Sequence, residues 1–258
     1  MNTIHSTAIV SSKAKLGDNN IILPYTIIED DVEIGNDCII GPHAVLYNGA
    51  RIGNRVKIYQ SASVAHIPQD LKFGNEKSLF IIDDDTVIHE FATLHRGTKD
   101  TGFSKIGKNC LLMAYAHVAH DSVIGDNCIL ANGVQIAGHV TIEDYVIIGG
   151  LTPVHQFCIV GQHSMLGGGF RAVQDVPPYI LAANEPLRFE GLNIIGLRRR
   201  GFANDDIYAL KKAYSYIYSK KLNVSQAKEI IQRELGDNKY VKNVLDFISK
   251  SKRGLVGK

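Results

Sequence analysis

Six of the ten histidines fall between His95 and His163, and their spacing decides which of them can act together. His120, Gly138 and Gln156 lie eighteen residues apart, as do Asp121, His139 and Phe157, and again Ala119, Ala137 and His155. If eighteen residues make one structural turn, these series become adjacent columns. A patch two turns tall then gathers His120, Asp121, Gly138, His139, His155 and Gln156, with His117 arriving from the preceding strand. Such a set suits acyl transfer from a thioester to an alcohol or amine. The nucleophile must lose a proton, and an imidazole titrating near neutrality is the usual general base. Asp121 can hold that imidazole and favour its protonated form. Gly138 puts no side chain over His120, so its amide can reach the developing oxyanion, a contact worth about 2.7 to 4 kcal/mol in other acyl-transfer enzymes. By the same count His66 stands three turns before His120.

The repeat that would stack these residues runs through two thirds of the chain. From Ile4 to Ala172 an aliphatic residue returns at every sixth position, and 25 of the 29 positions in this register are Ile, Leu or Val. The exceptions are Asp70, Glu76, Asp100 and Ala172. Neither an amphipathic helix nor a lone strand sustains a period of six, whereas a parallel β-helix does. Each rung reads aliphatic, often Gly, two variable residues, then a small residue, as in Ile34-Gly35-Asn36-Asp37-Cys38. The aliphatic and small residues point inward, and the Gly, Asn and Asp between them are expected to make the corner. Two stretches, near 65–81 and 99–105, break the pattern by whole multiples of the repeat. They are expected to be loops thrown out from corners, where binding residues often sit.

The repeat stops at Val176-Pro177-Pro178-Tyr179, which divides the chain into a β-helical part, 1–186, and a helical part, 187–258. Asn204 is expected to cap a helix with the apolar face Ile207, Leu210, Tyr214 and Ile217. Two more helices are expected, from Ser225 to Leu235 and from Lys239 to Ser249. Residues 187–258 carry 16 Lys or Arg against 7 Asp or Glu, a balance of +9 that leaves −7 elsewhere for a total of +2. An acidic partner at the basic end is one reading. No apolar run approaches the ~20 residues that cross a membrane, and the N-terminus enters the repeat without a signal-peptide core, so a cytoplasmic protein is expected. Cys38, Cys110, Cys128 and Cys158 all occupy the small inward slot and read as packing residues. Outward residues such as Ile27, Ile39, Ile129 and Ile147 suggest apolar faces buried against copies of the same chain.

Several segments carry a more specific likeness. Ile67-Pro68-Gln69-Asp70-Leu71-Lys72, Leu94-His95-Arg96-Gly97-Thr98, His117-Val118-Ala119-His120-Asp121, Ala137-Gly138-His139-Val140, Val154-His155-Gln156-Phe157-Cys158 and Gln174-Asp175-Val176-Pro177-Pro178-Tyr179 occur in that order. With Gly196-Leu197-Arg198-Arg199-Arg200-Gly201-Phe202 and Arg253-Gly254-Leu255, the chain resembles the acyl-carrier-protein:UDP-N-acetylglucosamine O-acyltransferases over nearly its whole length. The resemblance implies a mainly β fold: a left-handed parallel β-helix of hexapeptide repeats with a C-terminal α-helical domain, assembled as a homotrimer with sites between subunits. The handedness comes from the family, since parallel crossovers are otherwise right-handed. It also implies transfer of an (R)-3-hydroxyacyl chain from acyl carrier protein to the glucosamine 3-position of UDP-N-acetylglucosamine, the first step of lipid A synthesis. No resident cofactor or metal is implied, phosphopantetheine arriving on the donor, and neither nucleic acid nor an integral membrane segment.

On the family's pattern His120 is the general base, Asp121 its partner and Gly138 the oxyanion donor. Asp70, Lys72, His117, His139, His155 and Gln156 would line the sugar-nucleotide site. Asn193, Arg199 and Arg200 would reach uridine, phosphate or phosphopantetheine, and Arg suits phosphate through its planar fork. Gly168 matches the place where the family limits acyl length, and glycine there implies a long chain. Ser63-Val64-Ala65-His66 and Ile195 depart from the family's pattern near the nucleotide. Two other enzymes are compatible with parts of this pattern: a UDP-3-O-acyl-glucosamine N-acyltransferase, and a zinc-dependent β-helical carbonic anhydrase using His117, His120 and His139.

Overall fold

The computed structural model describes residues 1–257. Strands mostly two residues long pair in parallel into three sheets of eleven, eight and eight strands, the faces of a triangular prism. Face 1 contains Ile129–Leu130 and Ile147–Ile148, face 2 contains His117–Val118 and Gln135–Ile136, and face 3 contains Val123–Ile124 and Thr141–Ile142. Neighbours pair eighteen residues apart, as in His117↔Gln135↔Pro153. From Ile22 onward the inward aliphatic of each rung is buried, as are the small residues Cys38, Ala44, Val56, Cys110, Cys128 and Cys158 four places on, whereas Ile4, Val10 and Leu16 of the first coil are exposed or half-buried. All four cysteines are free and buried. This column of apolar side chains is the core; removing one, as in Ile136→Ala, costs about 2 to 5 kcal/mol.

The corners divide their labour differently from the sequence expectation. The left-handed backbone falls on the third residue after the aliphatic, at φ near +60°, as at Asp37, Asn127, Asp121 and His139. Gly35, Gly53, Gly107 and Gly125, two places earlier, do not have positive φ. They are glycine because a Cβ on Gly35 would lie 2.6 Å from the Gly53 carbonyl oxygen of the next coil. Close stacking, not the turn, excludes the side chain there.

Both loops leave the edge between faces 2 and 3. The first joins Ser63–His66 to Leu79–Ile82, and the second joins Thr93–His95 to Phe103–Ile106. Ser63 pairs with Thr93 and Thr93 with His117, so the loops lengthen two coils to 30 and 24 residues. His66 therefore stands two coils from His120, not three, because the insertions together consume the length of one coil.

The sheet outlasts the repeat. Ile180–Ala183 continues face 1 and pairs antiparallel with Arg188–Leu192, closing the prism. A boundary at 186 cuts this hairpin, and the helices begin later. They are α1 (Ile194–Arg199), α2 (Asn204–Ile217), α3 (Val224–Leu235) and α4 (Lys239–Lys250). α1 was not anticipated, being short and without an apolar stripe. Its cap is Asn193, which accepts from the Gly196 amide. Asn204 is the first residue of α2 and does not cap it; the capping position is Ala203, without a side-chain bond. The apolar face expected for α2 is buried.

The tail is tied back by two backbone bridges, Asp175↔Leu255 and Arg188↔Gly257, and by one carboxylate. Asp175 is fully buried and accepts from the Ile159 amide (2.8 Å), the Ser251 hydroxyl (2.6 Å) and the Lys252 and Arg253 amides. Hydrogen bonds to a charged group are worth about 1.5 to 3 kcal/mol each. Asp175→Ala is expected to lower the melting temperature and to make the 251–257 segment the first site of proteolysis. An unchanged melting curve and cleavage pattern would contradict this.

Candidate active site

The corner after strand His117–Val118 collects most of the candidate residues. His120 Nδ1 lies 2.7 Å from Asp121 Oδ2. The imidazole covers the bare face of Gly138 one coil on: a Cβ there would sit 2.8 Å from His120 Cε1 and 2.9 Å from Nε2. His139, beside Gly138, stacks on Phe157 and stands edge-on to His120 at 5.2 Å. His155 and Gln156 occupy the same edge one coil further, and His155 Nδ1 is 3.1 Å from the Gln156 carbonyl.

The Gly138 amide is the informative group. On the edge between faces 3 and 1, the amide at the equivalent corner position is taken by a side chain of the next coil. Asn36 donates to Asn54 Oδ1, Lys108 to Asp126 Oδ1 and Asp126 to Asp144 Oδ1, at 2.8 to 2.9 Å. Above Gly138 the matching residue is Gln156, whose longer side chain makes no such bond, and among the described residues the Gly138 amide donates to none. A corner amide in a stacked array is left available next to an imidazole.

Asp121 is buried and surrounded by donors that the sequence pattern did not single out. Thr98 gives its amide to Oδ1 (2.9 Å) and its hydroxyl to Oδ2 (2.8 Å), and the Thr101 hydroxyl also meets Oδ1. Burial works to raise the Asp121 carboxyl, but the bonds from Thr101, His120 and Thr98 outweigh it and hold the group below its ordinary range. Thr98 and Thr101 belong to the second loop. Thr98 closes the Leu94–Thr98 segment of the family likeness, and the signal for Thr101 is an insertion of one whole repeat beside the histidines.

His117 lies on face 2 beside this edge, with Nδ1 2.8 Å from Thr93 Oγ1 and its ring 5.2 Å from His95. Burial, with His95 and His120 nearby, pushes it down to about 4. The set with atoms close enough to share a metal is His120, Asp121 and His139, without His117. That differs from the three-imidazole set a carbonic anhydrase would need. Asp70 and Lys72 lie on the first loop, where the Asp70 carboxylate accepts from the Lys72 amide at 3.0 Å.

Four residues lie elsewhere on the chain. Gly168 is on the edge between faces 1 and 2, stacked on Gly150, whose carbonyl oxygen would be 3.1 Å from a Cβ. Arg199 ends α1 and Asn193 and Arg200 are its two caps, against the edge between faces 3 and 1. Asn193 is buried, its amide divided between the α1 cap and the His163 carbonyl (3.0 Å). Arg199 is exposed. Arg200 lies over the Tyr145 ring at 5.2 Å, has no acidic partner among the described residues, and keeps a buried Nη1 without a hydrogen bond. Burial lowers its pKa, though an arginine stays charged. A half-buried guanidinium with an unused N–H is a waiting anion partner. His163 beside it is pushed down to about 4 by burial and by Arg200.

Fold and corner together define a hexapeptide-repeat transferase with a histidine–aspartate pair. Models of known families agree: the bacterial transferase hexapeptide repeat matches 13–48 and 103–138, and domain 2 of UDP-N-acetylglucosamine O-acyltransferase matches 175–256. An acyl-[acyl-carrier-protein]–UDP-N-acetylglucosamine O-acyltransferase of Aliarcobacter butzleri is 48% identical, over 99% of this chain and 98% of its own. The corresponding enzyme of Thiobacillus denitrificans is 46% identical over 99% and 100%. Among solved structures, the UDP-N-acetylglucosamine acyltransferase of Bacteroides fragilis superposes with a TM-score of 0.97 at 42% identity, over 98% of this chain and all of that one. That of Francisella novicida gives 0.97 at 36%, over 99% and 94%. The chain belongs to the acyl-carrier-protein:UDP-N-acetylglucosamine O-acyltransferase family.

The depressed histidines fix a pH response. A native His117 and His163 near 4, against about 6.5 when unfolded, means the unfolded chain binds more protons between those values. Stability is therefore full above 6.5 and falls as pH drops towards 4. Melting temperature measured from pH 7.5 to 4 should decline across that window, and less so in a His117→Asn, His163→Asn double variant. Parallel curves would contradict the assignment.

Proposed function

We propose that the protein transfers a 3-hydroxyacyl chain from acyl carrier protein to the 3-hydroxyl of the glucosamine of UDP-N-acetylglucosamine, the opening reaction of lipid A synthesis. One observation carries the mechanism: His120, bonded through Nδ1 to Asp121, lies over Gly138, whose amide is unused. Nε2 takes the sugar hydroxyl proton as the oxygen attacks the thioester carbonyl. The Gly138 amide donates to the oxyanion of the tetrahedral intermediate. Collapse expels the phosphopantetheine thiolate, which recovers the proton from the imidazolium. Asp121 stabilises that imidazolium while it lasts. Asp70, Lys72, His117, His139, His155 and Gln156 line the sugar side, and Arg199 and Arg200 take phosphate. Gly168 leaves room for a long acyl chain.

The assembly we infer is a homotrimer working in the cytoplasm. On one chain the base and the arginines occupy different edges, so a complete site needs two subunits. Face 1 supplies a surface for association: Ile21, Ile39, Val87, Leu111, Ile129, Ile147 and Met165 point outward from its strands, interrupted by Lys57 between Ile39 and Val87, whereas Ile27 lies on face 2. The net +9 of the helical end suits an acidic carrier.

His120→Ala is expected to fold and to lose activity by about a hundredfold or more; near-normal turnover would remove it as the base. Inactive His120→Ala and Arg200→Ala proteins, mixed, partly unfolded and refolded together, should regain activity, since mixed trimers contain one intact site. No recovery from trimers shown by mass to be mixed would contradict a shared site.

A further inference from the structure

We propose that Thr98 and Thr101 are positioning residues: they fill the remaining acceptor sites of Asp121, so that His120 is held with its proton on Nδ1 and its basic nitrogen, Nε2, over Gly138. The inference rests on the assignment of His120 as base. An ionised carboxylate offers about four lone-pair sites. Here four donors occupy them: the Thr98 amide and Thr101 hydroxyl on Oδ1, the Thr98 hydroxyl and His120 Nδ1 on Oδ2. The Thr101 oxygen also lies 2.8 Å from the Phe103 carbonyl, but one hydroxyl proton serves one acceptor, and the charged carboxylate is the stronger. His139 Nε2, at 3.7 Å from Oδ2, stays outside hydrogen-bond reach.

With its lone pairs taken, Asp121 has no site for a proton of its own and accepts from His120 in one direction only. The loop that brings the threonines is itself held: Glu76 on the first loop accepts the Lys99 amide at 3.0 Å. The charged or titratable groups around the pair are His139, with Asp100 at 3.9 Å from its Nε2, His117 and His95 on the neighbouring strands, and Glu76 and Lys99 on the loops. Threonine donors draw carboxylate charge away from the imidazole. Without one of them the carboxylate turns more of that charge on His120 and favours imidazolium.

The test is the pH dependence of kcat/KM for Thr101→Val, Thr101→Ala and Thr101→Ser, with His120→Ala beside them. The acid limb is expected to move up by about half a pH unit in the valine and alanine variants and to stay in place in the serine variant. A limb unchanged or lowered in either folded hydroxyl-free variant would overturn the proposal. The 15N shifts of His120 in the unsubstituted protein should show Nδ1 protonated and Nε2 bare above the acid limb, and the opposite tautomer would overturn it whatever the variants do. An active His120→Ala protein would instead sink the base assignment, so the two failures are distinguishable.

Discussion

Everything in the site depends on the parallel register that stacks residues eighteen apart. Because successive side chains alternate in direction, a slip of one residue would turn every buried aliphatic outward. The core therefore fixes the register without ambiguity, and the register in turn fixes which corner residues meet. His120 lies over Gly138 because Val118 lies beside Ile136 in the sheet. The geometry of the proposed site is a by-product of apolar burial, and it inherits the rigidity of a close-packed interior.

Within that frame the edge that carries His120 differs from the edge between faces 3 and 1 by omission. On that other edge Asn and Asp side chains stack into a ladder that consumes corner amides. At Gly138, as at His120 and Gln156 on the same edge, no side chain takes the corner amide, and it stays free beside the imidazole. The carboxylate of the same corner is treated the opposite way: Asp121 is saturated by loop donors. An unsatisfied donor and a saturated acceptor flank one imidazole, an asymmetry suited to a proton moving onto Nε2 and off again. The arginine side is also held in reserve, with Arg200 desolvated over Tyr145 and unpaired.

The columns were legible in the sequence because the period hardly varies between Ile106 and Leu166, so counting by eighteen places His120, Asp121, Gly138, His139, His155 and Gln156 together. Where the period is interrupted, counting fails: by eighteens His66 falls a coil too far from His120. The threonines that hold Asp121 sit on an inserted loop, whose path no periodicity describes. The corner glycines were assigned to the turn, whereas the close approach of the next coil excludes their side chains, a three-dimensional fact with the same sequence signature. Beyond Ala172, which still pairs with Val154, no count applies. The family likeness could name Arg199 and Arg200 but not their edge, and α1 is too short to show a helical period.

The central claim is that an imidazole and an unused amide meet at one thioester carbonyl. The most direct measurement is the 15N-glycine spectrum of the protein with and without a phosphonate analogue of the tetrahedral intermediate. The Gly138 amide should move strongly downfield and become protected from exchange, while Gly125, whose amide is already bonded to Ile142, stays in place. A Gly138 resonance unmoved by an analogue shown to bind at His120 would contradict it.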